Sequence, residues 1–306
     1  MEQVYIFGHK NPDTDTILSS LVLEAIERTM GIYNAKAYRL GNVNKETQYA
    51  LDYFGVKAPE LLEEVEEGQE VMLVDHNEFS QSVNGIEKAK IIRVVDHHKI
   101  ANFKTSEPLF YLAMPVGCTA TILADMCEVS NITIDKITAG LMVSSIISDT
   151  LLFKSPTCTS KDKEVAEKLA KIAEIDIERY GLDMLKAGTD LSDFSPEELI
   201  NIDSKPFTKN AIKYQVAQVN TASIEDVLKD KESIEEAIKK FMSENNTDLF
   251  VLLITDILEN NSQVIALGEQ QIVEKAFNIK LENNTAFLPG VVSRKKQVVP
   301  NIENAI

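Results

Sequence analysis

The stretch Gly8-His9-Lys10-Asn11-Pro12-Asp13-Thr14-Asp15 decides the fold, because it joins an apolar run to a helical pattern. The preceding run, Val4–Phe7, is typical of a buried strand. Apolar residues at helical spacing follow from Ile17 to Ile26, and Gly31 marks a helix end. In an open parallel sheet, such a loop lies at the carboxyl ends of the strands, where ligands bind. The stretch therefore predicts an α/β sheet with a histidine and two aspartates at its ligand-binding edge.

An aspartate before a helix is most often an N-cap, so Asp13 or Asp15 alone would indicate little. The distribution of the histidines strengthens the case for a site. The chain contains four histidines among 306 residues, and each follows an apolar, strand-like run: His9, His76, His97 and His98. Nitrogen and oxygen donors gathered at strand ends favour a metal site.

The composition limits the class of protein. A length of 306 residues suits two domains, and the net charge of −17 disfavours nucleic acid as a partner. An anionic substrate should therefore be small and should meet its positive charge locally. We expect no membrane span and no signal segment. The three cysteines form no Cys-x-x-Cys pair, which fits a cytoplasmic location.

The first part of the chain alternates strands and helices. We predict strands at 35–40, 70–74 and 91–95, and helices at 44–54, 119–126, 137–147 and 160–173. This order predicts a parallel, doubly wound sheet with helices on both faces. The third and fourth strands end in Asp75-His76-Asn77 and Asp96-His97-His98. Their side chains should meet those of the first loop.

A polar segment with Gly188 and Pro196 is typical of a linker. We therefore predict a metal-binding domain at 1–188, a hinge at 189–195 and a smaller α/β substrate domain at 196–306, where Ser195 and Glu198 would form a capping box. The clearest strands of the second domain are 212–219, 250–254 and 263–267, with a helix at 233–242. The basic run Ser293-Arg294-Lys295-Lys296-Gln297 follows Leu288-Pro289-Gly290-Val291-Val292 and is therefore expected to leave a strand.

The candidate donors are imidazoles and carboxylates without a thiolate. This set suits manganese or cobalt, with zinc also possible. Converging carboxylates repel one another unless cations lie between them. The candidate carboxylates are also more numerous than a single ion needs as ligands. A two-metal site that activates water would suit hydrolysis of a phosphate ester or anhydride. The run at Arg294 and Lys295 is a candidate phosphate clamp, because arginine offers a fork to phosphate oxygens. Lys205 is a weaker candidate.

Five elements in order carry a resemblance to a known family: Gly8-His9-x-x-x-Asp13-x-Asp15, Asp75-His76-Asn77, Asp96-His97-His98, Ser148-Asp149-Thr150 and Ser293-Arg294-Lys295-Lys296. The first four resemble the DHH phosphoesterase superfamily. With the basic run, the chain resembles the family II, or manganese-dependent, inorganic pyrophosphatases from Val4 to about Val299. All five elements together are far more specific than the Asp-His-His triplet alone.

The resemblance implies a role for each matching position. It implies that His9 and Asp13 bind a first metal ion and that Asp75 bridges to a second. The remaining ligands of the second ion would be Asp15, His97 and Asp149. The catalytic residues would be Asp75 and His98, and the substrate would contact His98, Lys205, Arg294 and Lys295. Asp96 would contact the metal ligands without binding an ion itself. Direct roles for His76 and Lys296 stay open.

The resemblance also implies the activity. A metal-bridged hydroxide would hydrolyse pyrophosphate to two orthophosphates in a cleft between the domains. Two Mn²⁺ or Co²⁺ ions per subunit would be resident, Mg²⁺ would arrive with the substrate, and the protein would form a homodimer.

Three alternatives make different demands on the sequence. An exopolyphosphatase would need an open basic channel, which the charge of −17 disfavours. Nucleases and cyclic-dinucleotide phosphodiesterases of the superfamily typically carry a Gly-Gly-Gly-His element, which this chain lacks. A metal-dependent regulator that has lost activity would be supported by a lost ligand, but all six predicted ligands are present.

Overall fold

The computed structural model describes residues 3–306. The chain divides into two compact units, the first ending at Gly188 and the second comprising Thr189–Ile306. None of the helices in the described part of the chain is both long and apolar enough to cross a lipid bilayer.

The first unit contains a six-stranded sheet in the order β3-β2-β1-β4-β5-β6, in which every neighbouring pair is parallel. The strands are β1 (Gln3–Phe7), β2 (Asn34–Arg39), β3 (Glu60–Leu61), β4 (Glu70–Val74), β5 (Lys90–Asp96) and β6 (Phe110–Ala113). The predicted parallel α/β sheet is confirmed. The chain extends the sheet from β1 in one direction and from β4 in the other. Adjacent strands β1 and β4 therefore form the switch point at which ligands bind in such sheets.

Residues 3–188 form six α-helices: α1 (Thr14–Met30), α2 (Lys45–Phe54), α3 (Thr119–Val129), α4 (Lys136–Thr150), α5 (Ser160–Ala173) and α6 (Ile177–Gly188). Local chemistry sets their ends. Asp13 caps α1, and the helix stops at Gly31, whose φ of 67° is left-handed. Asn44 and Gly55 bound α2 in the same way. These helix boundaries agree with the stop and start signals in the sequence.

The two faces of this sheet are covered differently. Phe7, Leu73 and Val94 belong to one core cluster that also includes Val83 and Ile86. The latter two lie in or beside two short 3₁₀ turns, Phe79–Gln81 and Ile86–Lys88. This face is thus packed partly by turns, whereas the prediction placed helices on both faces. The opposite-facing residues of β1, Val4 and Ile6, are also buried.

The second unit contains a five-stranded mixed sheet in the order β11-β10-β9-β8-β7. Only β8 and β9 pair in parallel; the other pairs are antiparallel. The strands are β7 (Ser204–Lys209), β8 (Ile212–Thr221), β9 (Leu249–Asp256), β10 (Asn261–Gly268) and β11 (Thr285–Leu288). The helices are α7 (Pro196–Leu199), α8 (Ile224–Leu228), α9 (Lys231–Asn245), α10 (Gln270–Phe277) and α11 (Val299–Ala305).

Alternation along β9 divides the core of the second unit. Val251 and Leu253 pack in one cluster with residues of α10 and α11, whereas Leu252 and Ile254 pack in another with residues of α7 and α9. A strand with helices over both of its faces reads as a continuous apolar run, which is why β9 was recognisable from the sequence.

The prediction that the basic run leaves a strand is wrong. Strand β11 ends at Leu288, and a π-helical turn occupies Arg294–Val298, directly before α11. Pro289 cannot donate a ladder hydrogen bond, and Gly290 has a left-handed φ of 68°. These two residues end the strand before Val291, so the β-branched pair that follows lies in a loop.

Candidate metal centre

The loop after β1 supplies the first candidate ligands. Asp13 Oδ1 accepts a hydrogen bond from the backbone N–H of Thr16 at 3.0 Å and so caps α1. Its other carboxylate oxygen, Oδ2, lies 3.5 Å from His9 Nε2. Asp13 is therefore both an N-cap and a candidate ligand, through different oxygens. Oδ1 caps α1, and Oδ2 points to His9.

Asp75 lies at the centre of the site, immediately after β4. Its φ of 57° is left-handed, which is uncommon for a residue with a Cβ atom. Such strained positions cluster at functional sites. The carboxylate is buried, with Oδ2 at 3.5 Å from His9 Nε2 and Oδ1 at 3.3 Å from His97 Nε2. One aspartate thus contacts both imidazoles, which come from different strand ends.

Two hydroxyl groups orient Asp75. Thr16 Oγ1 donates to Oδ2 at 2.5 Å, and Thr119 Oγ1 donates to Oδ1 at 3.3 Å. Burial alone would raise the pKa of Asp75, but hydrogen bonding and charge from His9 and His97 lower that pKa well below its ordinary value. The carboxylate is therefore ionised and fixed in position.

Asp15 and Asp149 approach Asp75 from α1 and α4. Asp15 accepts hydrogen bonds from Ser19 Oγ at 2.6 Å and from the backbone N–H of Thr119 at 2.8 Å. Burial and the charge of Asp75 raise the pKa of Asp15 to about 6. Burial, together with Asp15 and Asp75, also raises the pKa of Asp149 well above its ordinary value. These shifts reflect the burial of the two carboxyl groups first, and then the mutual repulsion of carboxylates that share one region.

Asp149 provides a direct test of whether a cation fits. Its Oδ2 is buried and has no hydrogen-bond partner among residues 3–306, although it lies 3.8 Å from His97 Nε2. An unpaired buried carboxylate oxygen is costly unless a positive charge lies beside it. A divalent cation would satisfy this oxygen and offset the repulsion from Asp15 and Asp75.

The donors form two groups that share Asp75. One comprises His9, Asp13 and Asp75, and the other Asp15, Asp75, His97 and Asp149; within each group the donor atoms all lie within 4.8 Å of one another. All six predicted ligand side chains therefore come together at the switch point of the first sheet. The residue types fit divalent ions that prefer nitrogen and oxygen donors.

His98 is placed differently from His97. Its Nδ1 lies 3.0 Å from Asp96 Oδ1, and its backbone N–H donates to the same oxygen. Nδ1 also lies 3.6 Å from Asp75 Oδ1, so Asp75, His97 and His98 form a further donor group. Asp96 is buried and also accepts from Asn77 Nδ2 at 2.6 Å. This network anchors His98 at the rim of the site.

His76 has both ring nitrogens engaged within the protein. Nδ1 lies 2.9 Å from the carbonyl oxygen of Val74, and Nε2 lies 3.0 Å from Ser82 Oγ. The side chain is buried, and burial lowers its pKa. These contacts favour a structural role for His76.

The predicted clamp residues lie in the second unit. Arg294 donates to Asp203 through Nη2 at 2.8 Å and through Nε at 3.3 Å. Its backbone N–H donates to Gln218 Oε1 at 2.9 Å. Lys205 follows two residues after Asp203 on the edge strand β7, and Lys295 follows Arg294; both lysines are exposed. Asp203 thus brings the start of β7 and the basic run together.

Some contacts in the site were not recognised in the sequence. Thr16 and Thr119, which orient Asp75, were not recognised as site residues, and neither were Ser19 and Glu46; Asn77 and Ser148 were quoted within motifs but given no role. A hydroxyl at the first turn of a helix beside a candidate ligand is a weak signal on its own. Only the fold shows which hydroxyl meets which carboxylate.

Similarity to known proteins defines the class. The model of the DHH family N-terminal domain matches residues 3–146, and that of the DHHA2 domain matches residues 182–305. These are the two domains of a DHH-type protein. A manganese-dependent inorganic pyrophosphatase from Bacillus subtilis is 56% identical over 308 residues, covering 100% of this chain and 99% of the relative. The chain belongs to the family of manganese-dependent, or family II, inorganic pyrophosphatases.

Solved structures agree with this placement. A Methanococcus jannaschii protein assigned to family II inorganic pyrophosphatases is 43% identical, with a TM-score of 0.63 and 99% of each chain covered. An exopolyphosphatase-related protein from Bacteroides fragilis is 14% identical, with a TM-score of 0.51, covering 99% of this chain and 91% of its own. The similarity to the Bacteroides fragilis protein shows a shared fold only.

Proposed function

We propose that this protein hydrolyses inorganic pyrophosphate to two orthophosphates at the cluster centred on Asp75. The observation that carries the proposal is the pair of donor groups that share this carboxylate. Whole-chain identity with a manganese-dependent inorganic pyrophosphatase supports the same reaction. An exopolyphosphatase remains the alternative activity, but its support is a likeness of fold at 14% identity.

The donor groups suggest how two Mn²⁺ ions, or two Co²⁺ ions, would be held. His9 and Asp13 would bind the first, Asp15, His97 and Asp149 the second, and Asp75 would serve both. When bound, such ions lower the pKa of water and offset negative charge on phosphoryl oxygens. Mg²⁺ would arrive with the pyrophosphate.

The protein's own groups would then have distinct roles. Asp75 is held by Thr16 and Thr119, so it would set the spacing of the donor groups. His98 Nδ1 is engaged with Asp96, which leaves Nε2 as the ring nitrogen for an oxygen of the substrate. A proton transfer at Nε2 would assist the departing phosphate.

The basic residues of the second unit would bind the phosphoryl oxygens. Arg294 would provide a planar fork, whereas Lys205 and Lys295 would provide point charges. Asp203 already orients the Arg294 guanidinium through two hydrogen bonds. Residues 189–195, between α6 and α7, would act as the hinge that lets these residues reach the substrate.

We propose a homodimer as the assembly. Strand β6 lies at one edge of the first sheet, and the side chain of Phe110 on it is 47% exposed. An exposed sheet edge is a template for pairing with a second chain. Sedimentation of the purified protein tests this assembly. A cytoplasmic location is proposed on the family resemblance and is tested by cell fractionation.

A side-by-side substrate assay tests the function. The purified protein, loaded with Mn²⁺ and supplied with Mg²⁺, would be given pyrophosphate, a long-chain polyphosphate and a dinucleotide at equal concentrations. We expect rapid phosphate release from pyrophosphate and little from the others. Faster release from the polyphosphate would instead establish the exopolyphosphatase alternative.

A further inference from the structure

Glu46 is a carboxylate close to the candidate metal centre that belongs to neither donor group. It lies in the first turn of α2 and is only partly exposed. Its Oε1 accepts a hydrogen bond from Thr14 Oγ1 at 2.8 Å and another, short one from Ser148 Oγ. A single oxygen atom therefore joins two residues that are distant in sequence.

Each of these two hydroxyl residues lies next to proposed metal ligands in the sequence. Thr14 lies between Asp13 and Asp15, which belong to different donor groups. Ser148 directly precedes Asp149, which belongs to the same group as Asp15. Glu46 thus connects the beginning of α1 to the end of α4 at the residues next to the proposed ligands.

This connection opposes a repulsion within the site. Carboxylate oxygens of Asp15 and Asp149 lie within 4.8 Å of one another, so like charges on them would push the ends of α1 and α4 apart. The two hydroxyl bonds to Glu46 hold together the same two helix ends.

Helix α6 confines Glu46 from another direction. A Cβ atom added at Gly188 would lie 2.7 Å from Glu46 Cβ and 2.8 Å from Glu46 Oε2. Real Cβ atoms do not approach other heavy atoms this closely, so a side chain at Gly188 would displace Glu46 or the helix. The close approach leaves Oε1 directed to Thr14 and Ser148.

We propose that Glu46 is a positioning residue that keeps Asp13, Asp15 and Asp149 at the spacing required to retain the two divalent ions. This inference rests on the ligand assignment in the proposed function. Glu46 acts through the acceptor oxygen that ties the two helix ends. It does not bind an ion itself.

Mn²⁺ retention tests the proposal independently of turnover. Metal-free wild-type protein, Glu46→Ala and Glu46→Gln would be titrated with Mn²⁺, and free Mn²⁺ would be followed by electron paramagnetic resonance. We expect Glu46→Ala to weaken Mn²⁺ binding by about 10–100-fold, the usual range for groups that orient metal ligands. Glu46→Gln keeps an acceptor oxygen at the same position, so it should restore most of the affinity.

Glu24→Ala is the matched control. Glu24 also lies in the first unit and accepts a hydrogen bond from the backbone N–H of Ala37 at 2.7 Å, so its contact joins α1 to β2 and not α1 to α4. Its removal should leave Mn²⁺ affinity unchanged. Thermal melting of the metal-free variants would show whether each is folded.

Gly188→Ala is a second variant that leaves the Glu46 carboxylate in the chain. Its methyl group should displace Glu46 and weaken Mn²⁺ binding in the same direction as Glu46→Ala. Wild-type affinity in folded Glu46→Ala, or equal loss in Glu46→Gln and Glu46→Ala, would overturn the proposal. If Glu46→Ala does not fold, wild-type Mn²⁺ affinity in folded Ser148→Ala, which removes one of the two hydroxyl donors to Glu46, would overturn it. Absence of pyrophosphatase activity in the Mn²⁺-loaded wild type would count against the proposed function instead.

Discussion

His97 and His98 are joined by a peptide bond and both approach Asp75 Oδ1, but their other partners and their exposure differ. His97 Nδ1 lies 3.1 Å from the carbonyl oxygen of Val116, and its Nε2 faces Asp75 and Asp149. His98 Nδ1 lies 3.0 Å from Asp96 Oδ1. The side chain of His97 is 14% exposed and that of His98 is 52% exposed. The ring centroids lie 4.2 Å apart, and it is the difference in Nδ1 partner and in exposure that allows the two residues different roles.

Substitution of each histidine should separate metal binding from proton transfer. His97→Ala should lose Mn²⁺ on dialysis and recover part of its activity in excess Mn²⁺. His98→Ala should keep its metal but lose turnover by about 10²–10⁴-fold, the range for a general acid. Elemental analysis beside turnover at low and high Mn²⁺ measures both effects. Loss of metal from His98→Ala with retention in His97→Ala would reverse the assignment.

Asp75→Asn should be more damaging than Asp15→Asn. Asp75 belongs to both principal donor groups, whereas Asp15 belongs to one. An amide at position 75 offers one acceptor oxygen and no charge, so both ions should be retained poorly. The metal content of each variant after dialysis is the measurement. Two retained ions and near-normal turnover in Asp75→Asn would show that the carboxylate is not shared.

Binding of Mn²⁺ to the metal-free protein should release protons at pH 7. Burial lowers the pKa of His9 and His97, but hydrogen bonding and charge from Asp75 and neighbouring carboxylates outweigh it and raise these pKa values to about 10 and about 9. Both imidazoles are therefore protonated at pH 7 without metal and must lose their protons to bind it.

The sign of the pH dependence follows from these raised pKa values. Mn²⁺ affinity should be weak near pH 6 and should increase as the pH rises toward 9. Calorimetry in buffers of different ionisation enthalpy would report the number of protons released. Identical heats in all buffers at pH 7 would contradict the protonated state of the two imidazoles.

Arg294→Lys should weaken substrate binding without affecting metal retention. Lysine keeps the charge but loses the planar fork. Because hydrogen bonds to charged groups contribute about 1.5–3 kcal/mol, we expect kcat/KM for pyrophosphate to fall by about 10–100-fold. Lys213→Ala, which removes an exposed charge on β8 of the same unit, is the control. Unchanged kcat/KM in Arg294→Lys would remove Arg294 from the clamp.

Local signals made much of the fold predictable. Asn44 and Gly55 define α2, and Ser195 with Glu198 forms the capping box that starts α7. The strand ends at Asp75 and His97 could be placed because parallel strands bring their carboxyl ends to one edge. Strand β3 contains only 2 residues, both exposed, so it had no apolar pattern to reveal it. The turn at Pro289-Gly290 overrode the strand preference of Val291 and Val292.

The contacts that shape the site could not be read from the sequence. The backbone N–H of Thr119 donates to Asp15 across 104 positions, and Ser148 donates to Glu46 across 102. Such pairs depend on how α1, α2, α3 and α4 pack, and no periodicity in the sequence encodes that packing. Asp149 was assigned through family likeness, because a carboxylate at a helix end is common and carries little information alone.

Anomalous X-ray scattering from crystals grown with Mn²⁺ tests the central claim most directly. Two Mn²⁺ peaks should flank the Asp75 carboxylate, roughly 3.5–4 Å apart as in other two-metal sites. One ion should lie among His9, Asp13 and Asp75, and the other among Asp15, His97, Asp149 and Asp75. A single peak, or two peaks that do not share Asp75, would contradict the account.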